Sequence, residues 1–154
     1  MPCTRWVSVG KTLERPVIDH CGRGRPVTPA QTQAAWLLRR WDRVGIGVRC
    51  AYNPDCPGAV RHYLEAGRRV VASGALTERQ VHLRMLSVLL QVAHDEALPW
   101  FWRSVCLEHI SYPLARLRSL LKANDPIALQ AVDSAVQSAH ERLAATPPRP
   151  WRQA

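Results

Sequence analysis

Six arginines at helical spacing carry the strongest chemical signal in this sequence. Arg39, Arg40 and Arg43 lie within about one turn of each other, and Arg61, Arg68 and Arg69 project from the next helical stretch. Guanidinium forks match phosphate oxygens in geometry and charge. Trp36 falls among the first three, where a nucleobase could stack on it. A solvated helix surface, with Trp36 packed against the N-terminal arm, would use the same residues. The pattern asks for an anionic partner and does not choose among DNA, RNA and an acidic protein.

Other candidate chemistry is thinner. Cys50 and Cys56 form a C-x5-C pair, and His20 with Cys21 would bring a zinc set to four ligands. Structural zinc sites use knuckles of two to four intervening residues, so free thiols in or near the core are the expectation, with no metal. His82, His94, Asp95, Glu96, Glu108 and His109 could in principle do acid–base work. None stands at a catalytic spacing, and H-E-x-x-H, a nucleophile elbow, a P-loop and a dinucleotide-binding glycine pattern are all missing. The expectation is a protein that is not an enzyme and needs no cofactor. Trp100, Phe101 and Trp102 are consecutive, so a helix cannot turn all three inward. They are a candidate partner anchor, although a hydrophobic lid over the end of the central helix is the preferred reading. The tail 146–154, rich in Pro and Arg, could dock as polyproline II or add charge.

Composition sets the frame for these sites. The chain has 154 residues, 47% hydrophobic, with five cysteines and a net charge of +9. That is one domain with enough apolar material for a core without disulfides. The odd cysteine count argues against a disulfide framework. No run of about 18 apolar residues spans a membrane, and the first residues lack a secretory h-region. A cytoplasmic location is expected. Residues 1–28 hold five basic and two acidic groups, and residues 29–73 hold seven and three. Residues 74–145 hold seven of each, and the tail adds two arginines. A basic face on a neutral scaffold suits a polyanion.

The elements that must position these residues are all helical. The stretch 77–97 is apolar over roughly 220° of the helical wheel, where a surface helix needs little more than ~100°. It predicts a central helix covered on at least two sides, opened by a capping box at Thr77 and Gln80. Thr28 and Pro29 start helix one, which Gly45 is expected to end near 44. Residues 46–56 read as a loop, with Asp55 or Cys56 capping helix two, which Gly74 ends. Pro99 should occupy the first position of a short helix to 110. Pro113 should separate it from another at 114–123, and Asn124-Asp125-Pro126 opens the last helix, to 145. Residues 1–28 form a basic arm, with a candidate hairpin of 6–9 against 16–18. The fold expectation is all-α, a bundle of five or six helices at 29–145 between that arm and a flexible tail.

Trp36-Leu-Leu-Arg-Arg-Trp41, followed by Gly45, Gly47 and Tyr52-Asn-Pro54, resembles the start of some phage late antitermination proteins. The resemblance implies a transcription regulator of a phage or mobile element. With the charge pattern it gives the leading expectation, a small helical regulator that binds nucleic acid through Arg39, Arg40, Arg43, Arg61, Arg68, Arg69 and Trp36. The alternative is a helical protein–protein interaction module, an inhibitor or assembly subunit, that binds an acidic protein.

Overall fold

The computed structural model describes residues 28–146, which fold into six α-helices and no strand. The expected hairpin, His20, Cys21 and the tail from 147 on lie outside the described residues. The helices are α1 (Pro29–Arg49), α2 (Gly58–Ala72), α3 (Glu78–His94), α4 (Trp100–Glu108), α5 (Ser111–Leu121) and α6 (Pro126–Ala145). All-α architecture around a central helix is thus what the chain adopts. α3 packs against all five of the others, because its apolar arc leaves no single face that one neighbour could cover. Among the described residues no helix is long and apolar enough to cross a membrane.

Helix starts follow local chemistry. Thr77 Oγ1 accepts from Gln80 N at 3.3 Å, and Gln80 Oε1 accepts from Thr77 N at 2.9 Å, the reciprocal bonds of a capping box. Thr28 and Gln31 repeat it at α1. Asp125 Oδ1 takes Ala128 N at the head of α6, with Pro126 at its first position.

Helix ends depart more often from expectation. α1 does not stop at Gly45 but continues to Arg49. Gly45 is buried, and a Cβ there would come to 3.0 Å from the Tyr63 ring, so this glycine lets α1 and α2 approach closely. α1 ends instead with Ala51 in the left-handed region at φ 49°. There Tyr52 N donates to Gly47 O and Ala51 N to Val48 O, a Schellman arrangement built without glycine. α2 begins at Gly58 with Pro57 at its N-cap and no side-chain cap, in place of the expected cap by Asp55 or Cys56. α3 ends at His94, three residues early, because Asp95 Oδ1 takes Ala97 N and bends the chain. Pro99 caps α4 and is not its first residue. α5 starts at Ser111 with Pro113 inside its first turn, where the missing N–H has no helical acceptor to lose.

The core joins three parallel helices. Asp42–Arg84 (2.9 Å) ties α1 to α3, and Arg79–Asp125 (3.0 Å) ties the start of α3 to the start of α6. α2 runs back against α1. Trp41 stacks on Tyr63 with centroids 5.5 Å apart, and its indole Nε1 donates to Tyr63 O at 3.1 Å. Gly67 makes this crossing possible. A Cβ on it would overlap Met85 Cε and lie 3.1 Å from the Trp41 indole, and both of those side chains are fully buried.

Gly67→Ala is therefore expected to destabilise the protein. Propensity alone would favour Ala by about 1 kcal/mol in a helix interior. Overpacking a filled core costs roughly 1–3 kcal/mol, and here the steric effect is expected to win because the Trp41 indole is fully buried, stacked on Tyr63 and bonded to its carbonyl, although the flexible end of Met85 can yield. Chemical denaturation should show a net loss of up to about 2 kcal/mol; a gain would mean the crossing is looser than described.

Candidate nucleic-acid interface

On α1 the buried line runs through Trp41, Gly45 and Val48. At 100° per residue, Trp36, Arg39, Arg40 and Arg43 fall within a sector of roughly 100° opposite that line. All four are exposed. The Arg40 guanidinium lies 5.3 Å from the Trp36 ring centroid, a cation–π arrangement on one face of the indole. Trp36 itself is 49% exposed.

On α2, Arg61, Arg68 and Arg69 are also exposed, but their environment differs. Glu65 draws Arg68 Nη1 to 3.2 Å and Arg69 Nε to 3.8 Å. Helix geometry also puts Arg61 and Arg68 on the flank of α2 away from Tyr63, the residue that stacks on α1. Of the three α2 arginines, Glu65 thus engages two, and Arg61 lies on the flank turned away from Tyr63. Arg79 pairs with Asp125, Arg84 with Asp42, and Arg118 with Asp133 at 2.8 Å. Among the described residues, Arg39, Arg40, Arg43 and Arg61 have no carboxylate within ion-pair distance, and neither have Arg49, Arg116 and Arg142. The α1 group is the compact one, and the carboxylate beside it in sequence, Asp42, is engaged by Arg84.

The aromatic run divides three ways. Trp102 is 1% exposed, and its Nε1 donates to Val48 O at 2.9 Å, fastening α4 to the end of α1. Burial removes it from the expected partner surface. Phe101 is 49% exposed, and Trp100 is half-buried with its Nε1 enclosed and unpaired. Trp102 is therefore a core residue joined to the end of α1, while Phe101 projects.

The titratable groups do not converge. Among the described residues no three of His, Cys, Asp and Glu are placed to hold a metal ion. Cys50 and Cys56 are exposed, whereas burial pushes the Cys106 thiol up to about 12. His94 borders an open groove of about 730 Å3 between α3, α6 and the end of α1, floored by Leu83, Leu86 and Leu90. Burial, with Arg142 and Arg103 nearby, holds its pKa below the ordinary 6.5. His109 faces the Val105 carbonyl, with Nδ1 2.9 Å from the oxygen.

One buried cation escaped the sequence reading. Arg103, 2% exposed, donates from Nε to Ala93 O at 3.0 Å, at the carbonyl end of α3 where a positive charge is favoured. Its signal was the one cation of a nine-residue, largely apolar helix that follows closely on another helix end.

His82 is expected to give the fold a pH dependence. It is 3% exposed, set edge-on to Tyr112, and its Nδ1 has no partner. Burial chiefly lowers its pKa; Glu78 opposes this and Arg116 reinforces it. A folded-state pKa below the unfolded 6.5 means the unfolded chain takes up the proton more readily. The stabilisation is fully present above that value and is lost as the pH falls below it toward the folded-state pKa. The melting temperature should therefore be flat near neutrality and fall on acidification. His82→Leu should flatten that slope, leaving the smaller contribution of His94. An unchanged slope would show that His82 does not titrate with folding.

Comparison with known proteins finds no matching family model, no matching curated protein and no matching solved structure.

Proposed function

We propose that this chain is a small non-enzymatic helical regulator that binds nucleic acid electrostatically through the outer face of α1, with Arg61, Arg68 and Arg69 of α2 extending the contact. The observation that carries this reading is the unneutralised group Arg39, Arg40 and Arg43 on one outward sector, in a molecule whose other half has balanced charge. Phosphate contacts release condensed counterions, so affinity should fall steeply and linearly on a log–log salt plot. The likeness of residues 36–54 to phage late antitermination proteins points to a transcription regulator of a phage or mobile element. The test is fluorescence anisotropy of nuclease-treated protein with labelled duplex DNA, single-stranded DNA and RNA at low and near-physiological salt. The protein is compared with its Arg39→Glu/Arg40→Glu/Arg43→Glu variant.

A second reading rests on a different observation. Phe101, Tyr52 at 69% exposure and Ile46 at 52% exposure are large apolar groups left at the surface. They fit a helical module that binds an acidic protein, with the arginines as its rim. A stoichiometric complex formed without nucleic acid, and lost in Phe101→Ala, would favour it.

A further inference from the structure

We infer that the α1 face takes single-stranded nucleic acid, with one unpaired base stacked on the Trp36 indole and the flanking phosphates held by Arg39, Arg40 and Arg43. This rests on the nucleic-acid reading above and adds the strandedness of the ligand. Three observations carry it. The indole is half-exposed on the sector opposite the core, so packing among the described helices does not account for its presence there. Arg40 lies over one face of the ring, which leaves the other face for a base and restrains the indole. In a duplex both faces of each base are covered by neighbours, and only an unstacked base can use an aromatic platform.

From Trp36 to Arg43 the face is about 10 Å long. That length would fit one duplex groove, about 12 Å wide, as well as a few nucleotides of single strand, so the choice of a single strand rests on the indole. α1 is also held between α2 and α3, so only a limited sector of it is free to enter a groove. A short face with one aromatic and three cations suits a few nucleotides of single strand.

The test uses the full chain and four labelled probes of equal length: oligo(U), oligo(dT), an abasic single strand and a matched duplex. Single strands should bind more tightly than the duplex. Trp36→Ala should weaken oligo(U) and oligo(dT) about tenfold, the scale of losing one stacked base. Trp36→Phe should retain most of the affinity. The Trp36→Ala effect should vanish on the abasic strand and the duplex, and the salt slope should stay unchanged because no charge is removed. A comparison of oligo(U) with oligo(dU), which differ only in the 2′-OH, identifies the preferred sugar. Trp36→Ala weakening all four probes equally, or none, would overturn the stacking role, as would a duplex bound as tightly as the single strands. If wild-type protein binds no probe even at low salt, the electrostatic reading fails first and the strandedness falls with it. Melting curves of both variants should overlay the wild type, because the indole lies off the core.

Discussion

Trp41→Ala is expected to remove about 3–5 kcal/mol of stability, a large share of the roughly 5–15 kcal/mol that holds a domain folded. Trp41 is fully buried at the joint of α1, α2 and α3. It stacks on Tyr63 at an interplanar angle of 12°, donates to the Tyr63 carbonyl, and lies under the Arg84 guanidinium at 5.1 Å. Alanine would leave a cavity beside Gly67, where no side chain is available to fill it, and would strip a buried carbonyl of a donor. At roughly 2–4 °C per kcal/mol for a chain of this size, the melting temperature should fall by roughly 6–20 °C. Trp36→Ala, five residues away on the same helix, should change stability by no more than about 0.5 kcal/mol. Near-equal losses in the two variants would contradict the assignment of one tryptophan to the core and the other to the surface.

Reversing Arg39, Arg40 and Arg43 to glutamate should lower nucleic-acid affinity at least about 100-fold near physiological salt and cut the salt slope by roughly 2–3, the contribution of three phosphate contacts. Repulsion by the new carboxylates adds to the lost contacts. The fold should survive, since all three side chains are exposed and none holds an ion pair among the described residues. Arg61→Glu/Arg68→Glu/Arg69→Glu should do less, because Glu65 already engages two of those arginines. Equal effects of the two triple variants would indicate a diffuse field in place of a face centred on α1. An unaffected α1 variant would sink the proposal.

Much of this molecule was legible before any coordinates. The all-α fold, the central helix and three of the helix starts were readable because each depends on side chains within a few residues. Thr28, Thr77 and Asp125 satisfy backbone donors two or three positions ahead, whatever the rest of the chain does. The exposed arginine face of α1 was readable for a related reason: charge repeats with the helical period, and desolvation keeps unpaired charge outside.

Tertiary structure decided what local chemistry leaves open. Gly45 looked like a stop and is a contact point, because the ring it must admit belongs to Tyr63 on another helix. Trp100, Phe101 and Trp102 are alike in sequence, but only Trp102 reaches the Val48 carbonyl at the end of α1. Arg103 is buried because the end of α3 arrives beside it with an unsatisfied carbonyl. Glu65 engages two of the three α2 arginines of the expected basic surface, which leaves Arg61 as the α2 member without an ion pair. The sequence by itself determined where helices begin and which face of α1 is charged, through interactions closed within one turn. Which glycine is a contact, which tryptophan is core and which arginine is free depended on residues brought together from distant parts of the chain, and only packing specifies those.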